Sequence, residues 1–369
     1  MNNSNKKTAP ALEEILSSSG TKVQEALETI EKCRADRGFY ASAERYKYEY
    51  WTRDLYFSLD ALLSLGYEKE IKNQIEEIWN RQKEDGELPR LISEKPIKRG
   101  LNKAYYKIKK NDLVNSVRSL STLETRLNRW TVDYVPMAVI ATYEYAERTG
   151  DSSLITELKP KIDKTVSYVE EHMKDGLLIG GDWRDSVPEL RDKALLSNNV
   201  ILYKMYSHIE EKEKAGALKE RINNTFWNGE YYEDFPGSGS FDSLGVSLAV
   251  LEDVVPEDRH TSVYDKLQGA SRKSGVVNVL NDSAKTTDKQ YAQSCNQRYA
   301  VWPFISLRAA QAMKKMGADE AAKNEIEGFN KLGGFYEWYD PDSGKPQGSR
   351  YQLWSAAAYY SALRKGRSY

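Results

Sequence analysis

The sequence predicts an all-α protein, an (α/α)6 barrel built from six helical hairpins. Three observations lead there. Apolar residues recur at three-and-four spacing in about twelve stretches, and no run of six residues reads as a buried strand. The stretches alternate in character along the chain. The links between them alternate in length.

The helices fall at roughly 11–34, 52–65, 68–83, 132–149, 152–173, 193–209, 211–224, 241–253, 257–271, 298–315, 318–330 and 351–365. SLDALLSLG, PMAVIATYEYA, SLGVSLAVL, FISLRAAQAM and LWSAAAYYSAL are rich in Ala, Leu and other small residues, as buried helices are. EKEIKNQIEEIWNRQ and GADEAAKNEIEGF, lying between such segments, are charged and amphipathic, as helices with one wet face are. After a small-residue helix the link is short: Gly66-Tyr67, Gly150-Asp151, Val255-Pro256, Met316-Gly317. After a charged helix it is long: about 84–131, 174–192, 225–240, 272–297 and 331–350. Short links make tight αα-hairpins, and long loops in a compact domain are usually functional. All the long loops lead into the N-terminal ends of the small-residue helices, so they gather on one face. An α-solenoid would show a regular period, and none is present. The expected organisation is a tail over 1–10, disordered, and a single barrel domain over 11–369 with a basic insertion at about 94–130.

The chain has 369 residues, 54 Lys and Arg against 55 Asp and Glu, and a formal net charge of -1. That balance gives no pull toward nucleic acid or an anionic membrane, and no run of about 18 apolar residues would span a bilayer. The opening MNNSNKKTAP has no apolar h-region, which predicts a cytoplasmic protein. Two cysteines, Cys33 and Cys295, make neither a disulfide framework nor a cysteine-type zinc site. With 25 Tyr and 8 Trp against 8 Phe, the aromatics favour rings that carry a polar handle, suited to half-wet surfaces.

Those rings collect on the long-loop face, together with acids and amides. Trp51-Thr52-Arg53-Asp54 opens the first inner helix, and Trp130 and Asp133 precede the second. GGDWRDSVPE, residues 180–189, precedes the third, with Asn199 just inside it. Arg298, Tyr299 and Trp302-Pro303 begin the fifth, GGFYEWYDPDSG fills the last long loop, and Tyr351, Gln352 and Trp354 start the sixth. A polyhydroxylated ligand, stacked on rings and hydrogen-bonded by carboxylates, fits such a rim. The three histidines, His172, His208 and His260, fall at helix ends or on outer segments, and no Walker loop, GxGxxG after a strand, GxSxG or His/carboxylate metal spacing occurs. Neither a metal nor a cofactor is expected. Two carboxylates acting on a glycosidic bond remain, one protonated to assist the leaving oxygen and one activating water.

These residues resemble the six-hairpin glycosidases, the group that includes trehalase, glycoside hydrolase family 63 and amylo-α-1,6-glucosidases, over about residues 40–366. Trp51-Thr52-Arg53-Asp54 is similar to the element that holds the reacting sugar. Asp182-Trp183-Arg184-Asp185 is similar to the Trp-x-Asp element of the general acid, which implies Asp185, with Asp182 and Glu189 as alternatives. Trp302-Pro303 resembles the pair that begins the fifth inner helix. Phe335-Tyr336-Glu337-Trp338-Tyr339 resembles the element whose Glu is the general base, and Gln352-Leu353-Trp354-Ser355-Ala356 follows as in that group. The resemblance implies inverting hydrolysis of a short α-linked glucoside or mannoside by Asp185 and Glu337. It implies a sugar site drawn from Trp51, Arg53, Asp54, Trp130, Asp182, Trp183, Arg184, Asn199, Arg298, Trp302, Trp338, Tyr351 and Trp354.

The expected partner is a small carbohydrate, with no nucleic acid and no membrane. The run Lys95–Lys110, with seven Lys or Arg and no acid, would suit a lid or an anionic aglycone such as glycerate, met by Arg184 or Arg350. A carbohydrate-binding protein on a glycosidase fold and a polysaccharide lyase are the alternatives. A binding protein could lose its acids, and a lyase would use Tyr or His near Arg.

Overall fold

The computed structural model describes residues 10–94, 130–281, 297 and 299–364. Within them twelve α-helices succeed one another. Six are inner: α2 (Thr52–Ser64), α4 (Tyr134–Thr149), α6 (Leu196–His208), α8 (Ser243–Leu251), α10 (Pro303–Lys315) and α12 (Leu353–Leu363). Six are outer: α1 (Pro10–Cys33), α3 (Glu68–Trp79), α5 (Ser152–Glu171), α7 (Lys212–Thr225), α9 (His260–Gly269) and α11 (Asp319–Asn330). Each inner helix packs on the next, α2 on α4, α4 on α6 and so on to α10 on α12, and α12 returns to pack on α2. The ring closes, as the lopsided links predict.

Composition decides which ring a helix joins. Every residue of α8 is buried, because SLGVSLAVL offers no polar stripe that water needs. In α3 the buried residues Ile71, Gln74, Ile75, Ile78 and Trp79 form one stripe, and the charged remainder faces out. Observed helix bounds follow the expected ones within a few residues. The largest departure is α10, expected from 298 and beginning at Pro303, whose fixed φ and missing N–H suit the first helical position.

Short antiparallel ribbons replace any larger sheet. Two-residue pairs, 34–35 with 38–39, 173–174 with 177–178 and 271–272 with 275–276, turn the chain after α1, α5 and α9. Three longer ribbons frame the mouth: Glu49–Trp51 with Leu91–Ser93, Ser240–Asp242 with Val279–Asn281, and Tyr336–Tyr339 with Pro346–Arg350. Five aromatic rings plug the barrel axis below the mouth. Phe304 of α10 stacks on Trp354 of α12 with centroids 4.3 Å apart, and Phe57 of α2 lies 4.8 Å from Phe304. Trp302 lies 5.8 Å from Trp354, and Trp183 lies 4.9 Å from Trp302. The tail 1–9 and most of the expected insertion at 94–130 lie outside the described residues.

Candidate active site

The mouth of the barrel carries six inner-helix N-termini, whose dipoles favour negative charge there. Asp54, in the first turn of α2, is buried and accepts a hydrogen bond from Gln352 Nε2 at 3.2 Å. Gln352 Oε1, Trp354 Nε1 and Trp183 Nε1 are buried and have no hydrogen-bond partner among the described residues. Buried polar groups normally find partners, and orphans need an explanation. Here two indole donors and one amide acceptor stand at the aromatic plug, next to a carboxyl. That set matches a ligand offering several hydroxyls in a small space.

Glu337 lies in the 336–339 strand, eight per cent exposed. Tyr46 Oη donates to its Oε1 at 2.9 Å, Ser349 N–H to its Oε2 at 3.0 Å, and Arg45 Nη1 stands 3.8 Å from Oε2. Burial pushes its pKa up, and Arg45, the Ser349 amide and the Tyr46 hydroxyl offset this only in part. Burial likewise drives Asp54 well above the ordinary range, and the Glu337 charge adds to it. Two buried carboxyls with raised pKa values, one lifted further by the other, are a common signature of a reactive site.

The acid-bearing loop answers why GGDWRDSVPE takes this form. A Cβ on Gly181 would sit 2.1 Å from the Trp130 ring, so only glycine lets the loop lie against that ring. Gly181 N–H donates to Trp130 O at 2.7 Å, and Val132 N–H donates to Gly181 O at 2.9 Å. Arg184 is fully buried between two aspartates. It donates to Asp182 through Nε at 3.0 Å and Nη2 at 2.8 Å, and to Asp234 through Nη1 at 2.7 Å and Nη2 at 2.8 Å. Ser197 Oγ also donates to Asp182 at 3.0 Å. Burial would raise the Asp182 pKa, yet Arg184 holds it below the usual carboxylate range.

Asp185 differs from Asp182. Its side chain is 25 per cent exposed. Arg90 Nη1 donates to its Oδ2 at 3.2 Å, Arg53 Nη1 stands 3.8 Å from the same oxygen, and Gln297 Nε2 donates to Oδ1 at 3.2 Å. Of the two aspartates, only Asp185 has an open side from which a ligand could be reached. A separate cavity of about 120 Å³, lined by Arg37, Tyr50, Gln74, Glu77, Arg81 and Glu94, holds none of these carboxyls.

Residues 206–355 match the family model described as the mannosylglycerate hydrolase MGH1-like glycoside hydrolase domain. The protein is a glycoside hydrolase. Among solved structures its fold resembles the family 63 mannosylglycerate hydrolase of Thermus thermophilus in complex with Tris and D-glycerate, at 13% identity and a TM-score of 0.66, covering 92% of this chain and 99% of that one. The same enzyme in complex with glucose matches with the same figures. A glycosidase variant in complex with glucose matches at 12% identity and a TM-score of 0.64, covering 95% of this chain and 98% of that one. No curated protein matches the sequence.

The hydrolase brings Trp51, Asp54, Trp183, Asp185, Trp302, Glu337, Trp338 and Trp354 to the mouth and the plug beneath it. Trp51 donates its Nε1–H to Glu49 at 2.7 Å and lies under the Arg90 guanidinium, 5.4 Å from the ring centroid. Several expected ligand contacts are instead held by the protein. Arg53 pairs with Asp133 at 2.7 and 2.6 Å and donates to Asp182 O at 3.1 Å, so it ties two hairpins together. Arg184, expected to meet a substrate carboxylate, is occupied by Asp182 and Asp234 because both aspartates are buried with it. Asn199 bonds the backbone of Leu178 and Leu195 within the core. Trp130 packs against the small cluster of Val187, Leu190 and Leu195. Tyr351 has its ring between Lys32 and Arg350, and Arg350 is exposed at the end of its strand. Arg298 lies outside the described residues.

Tyr46, Arg90, Gln297 and Asp234 are the residues that sequence reasoning missed. The role of each depends on a partner at least 50 residues away. Among the described residues no group of His, Cys, Asp and Glu could hold a metal ion, and no helix is long and apolar enough to cross a membrane.

Proposed function

We propose that this hydrolase inverts at the anomeric carbon of a short α-linked glucoside or mannoside, with Asp185 as general acid and Glu337 as general base. The observation that carries this reading is the set of buried, unpartnered donors and acceptor at Trp183, Trp354 and Gln352, beside the carboxyl of Asp54. A sugar ring seated there would satisfy the orphans and gain their hydrogen bonds. Its glycosidic oxygen would face Asp185, and water on the opposite side would give a proton to Glu337. Tyr46 and the Ser349 amide fix the carboxylate of Glu337 for that transfer.

The side of Asp185 away from the plug carries a cation, Arg90. The Thermus relative in complex with D-glycerate is consistent with a carboxylate there. We take a small anionic aglycone as the preferred one. The test is a proton-NMR time course with α-linked gluco- and manno-disaccharides and with the two glycosides of glycerate, alongside Glu337→Gln. Early release of the β-anomer, absent in the variant, is expected. Sugar binding without cleavage by the unmodified protein would favour a carbohydrate-binding role instead.

A further inference from the structure

The two oxygens of Asp185 are held differently. Gln297 Nε2 donates to Oδ1, and the amide cannot be the other way round. Its Oε1 accepts from Ser186 N–H at 2.8 Å and from the Ser186 hydroxyl. Oδ1 is therefore fixed as an acceptor. Oδ2 also accepts, from Arg90 at 3.2 Å. A general acid must carry a proton on one oxygen, and that oxygen must point at the leaving group. With Gln297 donating to Oδ1, that oxygen is favoured as the carbonyl and the proton is favoured on Oδ2. Arg90 occupies it.

We infer that Arg90 keeps Asp185 idle in the free enzyme and is drawn off it by the anion of the aglycone, so that substrate charge arms the acid. The inference rests on the proposed hydrolysis of an anionic glycoside. Of the two arginines at Oδ2, Arg53 is committed to Asp133 and to a backbone carbonyl. Asp185 is the only ion-pair partner of Arg90 among the described residues, and its guanidinium otherwise lies on the Trp51 ring. Its backbone is anchored, since Thr52 N–H donates to Arg90 O at 3.1 Å and Thr52 Oγ1 to Pro89 O at 2.7 Å. The side chain therefore moves while the loop stays. Burial above all holds the Arg90 pKa below its ordinary value, with Asp185 opposing and Arg53 adding to it.

The step balances. A carboxylate on the aglycone takes over the N–H groups of Arg90, and Oδ2 of Asp185 takes a proton from solvent. That proton passes to the glycosidic oxygen as its bond to the anomeric carbon breaks, the electron pair staying on the oxygen. Water adds at the anomeric carbon and loses its proton to Glu337.

Kinetics with three α-glycosyl substrates test the inference: the glycoside of D-glycerate, that of glycerol, and the glycosyl fluoride, which departs without a proton donor. Unmodified enzyme should turn over the glycerate compound about 10²-fold faster in kcat than the glycerol compound, within the range a general acid supplies. Arg90→Met should bring the two within about threefold by raising the glycerol rate. Arg90→Lys, which keeps the cation if the methionine variant folds poorly, should retain part of the preference. A preference that survives in Arg90→Met overturns the inference. Equal rates for both glycosides in unmodified enzyme overturn it too, while leaving the hydrolase reading standing. No cleavage of any of the three overturns both.

Discussion

Glu337 and Asp182 are both buried carboxyls, and they pull stability in opposite directions. The folded pKa of Glu337 is raised, so its contribution is full below the unfolded value, about 4.3, and is lost as pH rises through the folded one. Asp182 is depressed by Arg184, so its contribution is present above the unfolded value and lost as pH falls. Glu337→Gln should therefore gain about 0.5–2 kcal/mol at neutral pH while losing about 10²–10⁴ in kcat. Asp182→Asn, which leaves Arg184 buried with one aspartate, should cost about 3–5 kcal/mol. Urea titrations at pH 5 and pH 7.5 check both, and the advantage of Glu337→Gln should shrink at the lower pH. At this scale the sequence was partly legible. Asp185 and Glu337 could be picked out because each stands in a local aromatic-acid pattern. Gln297 and Arg90 could not, because neither meets Asp185 until separate hairpins close around it.

Among the elements, the ribbon of 336–339 and 346–350 does the most with the fewest residues. Gly348 has φ +74, and a Cβ there would lie 2.4 Å from Glu337 Oε2. That carboxylate oxygen receives the Ser349 amide, so a methyl group at 348 would push Glu337 off its donor. Gly348→Ala should lower kcat on the order of 10²-fold with a smaller change in KM, since misplacement by about 1 Å can cost that much. Steady-state kinetics on any cleaved substrate decide it, and an unchanged kcat would mean that the ribbon tolerates the shift. Helices were legible at this scale because their period spans many residues, as the stripe of α3 shows. Two- to five-residue ribbons leave no such period. Asp175-Gly176 and the turn from Asp340 to Gly344 bend two of them, while the ribbons of 49–51 with 91–93 and 240–242 with 279–281 join segments far apart in the chain.

The ring as a whole makes α1 more than a first outer helix. Val23, Ala26, Ile30 and Cys33 of α1 are wholly buried, and α1 packs on α12, which closes the ring against α2. Lys22 also reaches across from α1, donating to Leu332 O at 2.9 Å and Gly334 O at 2.8 Å, in the turn before the Glu337 strand. Burying each large apolar side chain of α1 is worth about 1.5–3 kcal/mol, and a ring has no spare end to lose. Removing residues 1–33 should therefore abolish cooperative unfolding rather than trim one hairpin. Circular-dichroism melts and gel filtration would show it, and a soluble fragment with a sharp transition would contradict it. Link lengths made the single-sided mouth legible in the sequence. Closure of α12 on α2 was inferred from those links together with the lack of a repeat, since periodicity cannot tell a ring from an arc.

The plug of Phe57, Phe304, Trp354, Trp302 and Trp183 gives the proposed reaction a direction of traffic. On the proposed reading these rings are the floor on which the sugar sits. The sugar would then go in first with the rest of the substrate toward the mouth, so cleavage would take a terminal unit rather than act in the middle of a chain. The severed aglycone stands between the freed sugar and the solvent, so it departs first and the sugar last. Free sugar should then accumulate as a competitive inhibitor of its own release.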